Sequence, residues 1–442
     1  MLYYKKIITM HRVGKENGRT AREGGGMERS ILHCDCNSFF ASVELLGHPE
    51  LALLPVAVCG NPAQRHGIIL AKNEAAKKYN IQTAETVYSA LRKCPQLQLL
   101  APHHERYTHY SRVINAIYGR FTDRVEPFGI DESWLDITGT WQLFGASPTA
   151  VAQEIRRTVK NETGLTISVG VSFNKVFAKL GSDYKKPDAV TVFGEDDYRL
   201  RVWALPVGAL LYVGKSAQSA LKQMGIQNIG QLAAADPLEI QRKLGKLGLD
   251  ISRYARGLDD APVRRADEAE EVKSVGNGLT FTRNLVGADD VRAGLYSLAD
   301  EVASRLRRHA LYATSVQVII KDTNLKSISR QKPLPFPSYL AKDIGEAAVQ
   351  LVCANWDLRM PIRMLTVTAQ NLTDGTGAQQ LSLFGDAQKP DKKRESLERS
   401  MDTIRARYGK HAIAAGRAVK NDLGLDEISM DEKGAAARQQ DE

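Results

Sequence analysis

Three carboxylates have mainly apolar neighbours. Asp35 closes the run Ile31-Leu32-His33-Cys34-Asp35, and Asp131-Glu132 lies within Phe128-Gly129-Ile130-Asp131-Glu132-Ser133-Trp134-Leu135-Asp136. A carboxylate in such surroundings needs a cation or hydrogen-bond donors to offset its desolvation. Brought together from two strands, the three suit divalent metal. Mg²⁺ takes oxygen ligands and keeps positions for substrate phosphates. Two such ions activate a 3′-hydroxyl and stabilise a departing pyrophosphate. A plainer reading also fits, in which Asp35 caps the following helix and Asp131-Glu132 forms a turn. Downstream, Lys175, Lys179, Lys185 and Lys186 surround a helix that Pro187 stops. Lysines facing a carboxylate–metal cluster would neutralise a triphosphate; a solvated basic helix face is the alternative.

The elements that must position these groups alternate between strand and helix. Ile31–Asp35 reads as a short strand running into a helix at Ser38–Leu45. Residues 55–59 and 67–70 read as strands, 73–79 as a helix, and 105–122 as a long amphipathic helix with Tyr107, Tyr110, Ile114, Ile117 and Phe121 at helical spacing. Residues 124–137 read as two strands around a turn at Pro127–Gly129. Ser147-Pro148 starts a helix over 149–161. A strand at Leu165–Ser172 and a helix at Asn174–Tyr184 follow, giving an α/β or α+β core. From Leu205 to about Asp260 the pattern changes to short helices with glycine breaks, and a charged hinge covers Ala261–Val272. Residues 273–372 mix a helix at Leu295–His309 with strands at Ser315–Lys321 and Met364–Gln370. Beyond them the chain is polar, with an apolar cluster at Leu381–Phe384 and a helix around 392–407.

Composition narrows the function classes. With 442 residues the chain suggests two to four domains, and 43% hydrophobic with 25% charged residues is ordinary for a folded protein. No apolar run is long enough to span a bilayer. Five cysteines without a CxxC pair argue against disulfides or a zinc module and fit a reducing cytosol. The formal charge of +9 is unevenly placed. Residues 1–29, read as a disordered leader with Met27 as an alternative start, carry +4, residues 30–272 carry +1, and residues 273–372 carry +5. A basic module beside a near-neutral one suits a protein that grips a phosphate backbone with one part and does chemistry with another; a solvated basic face is the alternative.

Together these residues resemble the Y-family translesion DNA polymerases, the DNA polymerase IV kind most closely. The resemblance spans roughly residues 30–372. It rests on Asp35-Cys36-Asn37-Ser38-Phe39-Phe40-Ala41-Ser42-Val43-Glu44, on Gly129–Ile137, on Ser168–Ser172 with Asn174–Leu180 and Lys186-Pro187, and on Lys273-Ser274-Val275-Gly276. It implies a multidomain α/β (α+β) right-hand polymerase. The ferredoxin-like palm would be 30–38 and 104–194, the small fingers 39–103, and the helical thumb with a helix-hairpin-helix 195–260. A linker at 261–272 would lead to an α/β little finger at 273–372, and 373–442 would be a flexible tail. Asp35, Asp131 and Glu132, with the backbone carbonyl of Cys36, would hold two Mg²⁺. Asp136 falls outside that set.

Phe39 and Phe40 would border the nucleotide, with Phe40 as the steric gate against a ribose 2′-hydroxyl; packing as ordinary helix core is the alternative. Lys186 would contact the triphosphate. The family's Tyr-Glu-Ala-Arg becomes Glu74-Ala75-Ala76-Lys77, so Lys77, with Lys72 and Lys78 behind it, keeps charge without the guanidinium fork.

Val213-Gly214-Lys215 and Lys246-Leu247-Gly248 resemble degraded helix-hairpin-helix turns, where backbone N–H groups hold a DNA phosphate. Gly214, Lys215, Arg283, Lys326, Arg330, Lys332 and Arg363 are the expected DNA contacts. Gln380-Leu381-Ser382-Leu383-Phe384 matches the bacterial sliding-clamp pentapeptide, with Gln380, Leu381, Leu383 and Phe384 as the contacts.

The expected activity is template-directed, error-prone translesion DNA synthesis from deoxynucleoside triphosphates on primer-template DNA, without proofreading. The chain is expected to act as a cytoplasmic monomer that makes no membrane contact. A catalytically impaired DNA- and clamp-binding protein of the same fold, and a nucleotide cyclase-like enzyme, are the alternatives.

Overall fold

The computed structural model describes residues 29–60, 67–268, 271–375, 392–409, 412–414, 416 and 422–425. The chain divides into two compact units, 1–37 with 114–266 and 38–113 with 267–442.

The first unit is built on a five-stranded sheet in the order Val125–Pro127, Glu132–Asp136, Ile31–Cys36, Ile167–Ser172, Val190–Phe193. The central strand is buried along its whole length and pairs antiparallel on both sides. Helices Pro148–Thr163 and Lys175–Tyr184 pack on the sheet. Ser147 caps the first with its side chain, as its Ser-Pro start predicts. The second lies unusually close to the sheet. A Cβ on Gly170 would fall 1.9 Å from the carbonyl oxygen of Ala178, and one on Gly181 would fall 2.9 Å from the Gly170 Cα. These two glycines set the height of the helix over the strand, and so the height of its lysines.

Four helices follow, Lys215–Gln223, Ile229–Ala234, Pro237–Leu244 and Lys246–Ala255, around Leu221, Ile229, Leu232, Ile240 and Ile251. Each such side chain contributes about 1.5–3 kcal/mol on burial. The expected turn at Lys246-Leu247-Gly248 lies elsewhere. The turn residue is Gly245 at φ 65°, while Gly248 is where the helices Pro237–Leu244 and Lys246–Ala255 touch, at the Ile240 carbonyl. The expected hinge at Ala261–Val272 is also partly fixed. Val263 is buried against Ile31, Trp134 and Ala178, and Ala266 N–H donates to the Asp123 carbonyl at 3.0 Å.

In the second unit, strands Ile69–Lys72, Val56–Cys59 and Gln98–Leu100 form a small sheet in that order. Residues 274–373 form an antiparallel sheet in the order Ser327–Ser338, Tyr312–Asp322, Ile362–Thr373, Ser274–Leu285, backed by helices Gly287–Arg308 and Ala341–Asn355. Two of these strands and one helix escape the sequence reading. Ser327–Ser338 carries Pro333, Pro335 and Pro337, residues that disfavour a strand locally. Its edge position leaves one side of its backbone without ladder partners, so prolines are tolerated there.

The C-terminal region also departs from a wholly flexible tail. Helix Lys392–Tyr408 lies against helix Gly287–Arg308, where the buried Arg307 bonds Glu398 at 2.5 Å and Asp402 at 2.6 Å. Leu423 and Leu425 enter the same core. Residues 380–384, the clamp-like motif, lie outside the described residues.

Candidate active site

Strand register brings the first carboxylate pair together. Asp35 on the central strand stands directly opposite Glu132 on its antiparallel neighbour. Asp131 sits at the mouth of the preceding turn, where its carbonyl accepts the Cys36 N–H at 2.9 Å. That turn needs Gly129, whose φ of 151° is open to glycine alone. The alternative reading of Asp35 as a helix cap fails. The following helix, Phe39–Leu45, starts after Ser38, and Asp35 faces lysines instead.

Those lysines come from the helix over Gly170 and the loop after it. Lys179 Nζ lies 2.6 Å from Glu132 Oε2 and 3.1 Å from Asp35 Oδ2. Lys186 Nζ lies 2.8 Å from Asp35 Oδ1, and Asp183 bonds both lysines, at 3.2 Å and 2.8 Å. They are therefore not a solvated basic face. Burial raises the Asp131 carboxyl above its usual range, and the Asp35 charge adds to this. Burial likewise raises Glu132, against the pull of Lys179. Burial would lower the Lys179 ammonium, but Asp35, Glu132 and Asp183 outweigh it and raise it.

Several members of the site escaped sequence reasoning. His33 is fully buried, with Nδ1 2.8 Å from Ser182 Oγ and Nε2 3.4 Å from Glu132 Oε2. Burial, then Lys179, Lys186 and Lys175, hold the imidazole well below its usual range, so it is neutral. The available signal was spacing: positions 33 and 35 of a strand share a face. Asn37 donates to Ser168 Oγ at 2.8 Å and accepts the Asp188 N–H at 2.8 Å, pinning the loop that carries Lys186.

The donor set suits a divalent cation. Ligand atoms of His33, Asp35 and Glu132 lie within 4.8 Å of one another, and the carboxylates supply hard oxygens. Asp131 is not part of that tight group among the described residues.

In the second unit, Phe39 is buried core and Phe40 is half-exposed. Phe40 stacks on Tyr107, with centroids 4.0 Å apart and planes 8° apart. The expected triphosphate contact Lys77 is paired with Glu74 at 2.5 Å, and Ser38 Oγ donates to the same carboxylate at 3.2 Å. Lys72 donates to Thr83 Oγ1 at 3.2 Å.

The expected DNA contacts are variously engaged. Gly214 is the N-cap residue of the helix beginning at Lys215. Arg283 is held by Asp290 at 2.5 Å and Asp422 at 2.7 Å. Arg330 donates to Asn355 at 3.0 Å and Lys332 to Gln350 at 2.6 Å, toward the helix layer. Lys326 lies in the turn after Asp322, which accepts its N–H at 2.8 Å, and Arg363 lies on strand Ile362–Thr373.

Residues 34–183 match the impB/mucB/samB family, and residues 272–383 match that family's C-terminal domain. A DNA polymerase IV of Acetivibrio thermocellus is 45% identical over 402 residues, covering 91% of this chain and 100% of the relative. One of Clostridium kluyveri is 34% identical over 399 residues, covering 89% and 99%. A solved Y-family DNA polymerase chimera shares the fold with a TM-score of 0.69 at 22% identity, covering 77% of this chain and 98% of its own.

Proposed function

Because the chain belongs to the impB/mucB/samB family and is a DNA-directed DNA polymerase of the DNA polymerase IV kind, we propose that it performs error-prone translesion synthesis by two-metal nucleotidyl transfer, without proofreading. The observation that carries this reading is the opposed pair Asp35 and Glu132, with Lys179 and Lys186 within 3.1 Å of them. Asp35, Asp131, Glu132 and the Cys36 carbonyl would hold two Mg²⁺. Bound there, the ions would supply Lewis acidity for the primer 3′-hydroxyl and for the departing pyrophosphate.

The chain's own groups do the rest. Lys186 and Lys179 are positioned to exchange their carboxylate partners for triphosphate oxygens, neutralising charge as it develops. Asp183, which burial alone would raise, is held low by Lys186 and Lys179 and remains their anionic partner. Phe40 excludes a ribose 2′-hydroxyl. Lys77, now bonded to Glu74, is the fingers cation for the triphosphate. Gly214 and Lys215 engage a DNA phosphate, and the basic 273–372 module tracks the duplex.

Residues 380–384 dock a bacterial sliding clamp, and the chain works as a cytoplasmic monomer. Among the described residues, no helix is long and apolar enough to cross a membrane.

Primer extension on undamaged and damaged templates tests the reading. Glu132→Gln is expected to abolish extension while leaving primer-template binding intact. Retained extension would sink the metal assignment. Wild-type protein that stalls at every lesion would sink the translesion role.

A further inference from the structure

Two residues beyond Lys186 the backbone turns sharply and is held by three side chains. Asp188 has φ 52°, in the left-handed region that aspartate tolerates better than most side chains. Its N–H donates to Asn37 Oδ1 at 2.8 Å, just past the end of the central strand. Its other polar groups meet helix Pro148–Thr163. Arg156 donates to the Asp188 carbonyl at 3.2 Å and to Oδ1 at 2.6 Å, and Lys160 donates to Oδ2 at 3.0 Å. The Arg156 guanidinium is itself steadied by Gln153, which accepts from Nε at 3.1 Å. Burial alone would raise the Asp188 carboxyl, but Lys160 and Arg156 outweigh it and hold it below its usual range. The carboxylate stays ionised between two cations.

These bonds act on a short piece of chain. Lys186 sits in the connection 185–189, between helix Lys175–Tyr184 and strand Val190–Phe193. The far end of the connection is fixed by the sheet, where the Ala189 carbonyl accepts the Val169 N–H at 2.8 Å. Helix Pro148–Thr163 packs on the same two neighbouring strands, Ile167–Ser172 and Val190–Phe193. Arg156 therefore ties the connection to a second rigid element. The Lys186 ammonium, on a flexible four-carbon stem, lies 2.8 Å from Asp35 Oδ1 and 2.8 Å from Asp183 Oδ1. With its Cα held, it exchanges Asp35 for a phosphate oxygen by side-chain rotation alone.

We propose that Arg156 and Asp188 are positioning residues: their ion pair fixes the backbone from which Lys186 reaches the triphosphate. A connection already ordered in the free protein does not have to be ordered again when the nucleotide binds, and that saving appears as affinity. Misplacing a site group by about 1 Å costs up to about 100-fold. This inference rests on the proposed role of Lys186 as a triphosphate contact.

The test is single-turnover incorporation of one nucleotide by the full-length protein, which gives the apparent Kd of the deoxynucleoside triphosphate and the maximum rate separately. Arg156→Met keeps an apolar stem and removes the guanidinium. It is expected to weaken nucleotide affinity about tenfold, with the maximum rate changed less than about threefold. Primer-template affinity is expected to stay at the parent value. Asp188→Gly keeps a residue suited to the turn and removes the acceptor, and it is expected to match Arg156→Met. Native nucleotide affinity in either variant would overturn the positioning role. Weakened primer-template binding by Arg156→Met would place that residue on the DNA and overturn it as well. Added to Lys186→Met, Arg156→Met is expected to cost less than about a further twofold, because both act through one ammonium. Multiplication of the two separate effects would refute this. Lys186→Met alone separates the two readings. If it leaves nucleotide affinity intact, the triphosphate role of Lys186 itself fails. If it weakens affinity while Arg156→Met and Asp188→Gly do not, only the positioning role fails.

Discussion

The ring of Phe40 lies flat on that of Tyr107, 4.0 Å between centroids and 8° between planes. Tyr107 is in turn fixed by its hydroxyl, which donates to Glu44 Oε1 at 2.5 Å. A half-exposed ring on a buried, hydrogen-bonded support cannot swing aside easily, as a steric gate requires. Under the proposed gate role, loss of the ring admits a 2′-hydroxyl. Phe40→Ala is expected to raise ribonucleotide incorporation relative to deoxynucleotide by at least about tenfold, or ~1.4 kcal/mol of lost discrimination. Competing-nucleotide primer extension measures the ratio, and unchanged sugar selectivity would refute the gate.

The support itself is testable. Glu44 is 1% exposed and accepts from Tyr107, from Arg106 at 2.8 Å, and from His103 backbone and ring nitrogens at 3.1 and 3.0 Å. Glu44→Leu strands the Arg106 charge and the Tyr107 hydroxyl together. Removing one partner of a buried ion pair costs about 3–5 kcal/mol; with Arg106 partly exposed, about 2 kcal/mol is expected. Urea denaturation should show it as a lower midpoint, with ribonucleotide use rising in parallel. A variant as stable as the parent contradicts this account of the buried carboxylate.

Metal affinity should respond to acid at an unusually high pH. Burial raises both Asp131 and Glu132, with Asp35 adding repulsion at each. Cation binding needs the ionised forms, so affinity is full above the raised values and falls as pH drops through them. The fall is expected to begin above the ordinary carboxylate values of about 4. The sign for stability is opposite: these two groups favour folding more once protonated, because their folded-state affinity for protons exceeds that of the unfolded chain. Mn²⁺ titrations across the acid range check the first statement. A midpoint at or below pH ~4 would contradict it.

Arg283, one of the expected DNA contacts, is engaged by two carboxylates of its own chain. Its guanidinium bonds Asp290 and Asp422. A phosphate contact contributes about 0.9 to the slope of log affinity against log salt. Arg283→Ala is expected to leave that slope unchanged in fluorescence-anisotropy titrations with primer-template DNA. A slope reduced by about one unit would show that Arg283 leaves its carboxylates for the duplex.

Much of the fold was legible because local patterns agreed with the final packing. The strand ending at Asp35, the two strands around Pro127–Gly129, and the Ser-Pro helix start all lie near their expected positions. Legibility failed where a local rule was overridden by position. Three prolines hid an edge strand, and part of a charged segment read as hinge is held by the buried Val263 and by the Ala266 N–H bond to the Asp123 carbonyl. Within the site, Asp35, Asp131, Glu132 and Lys186 were visible as apolar-flanked carboxylates and a basic stretch before a proline. His33 there, and Glu44 in the second unit, were not. Each is a polar residue in a mainly apolar run, and only its partners give it a role.

The sequence by itself determined which residues could carry the chemistry, and through a strand period of two, which of them share a face. It also determined the family, because spaced motifs survive without any coordinates. Only the tertiary structure decided partnership. That Glu132 stands opposite Asp35 depends on strand register. That Lys179 reaches both depends on Gly170 and Gly181 letting a helix close onto the sheet. That Ser182 backs His33, 149 positions away, and that Asp422 holds Arg283, 139 positions away, follows from packing alone. A side chain's own type sets what it can bond, but its energy depends on what lies within about 3 Å, and for residues far apart in sequence that distance is fixed only when the whole core closes.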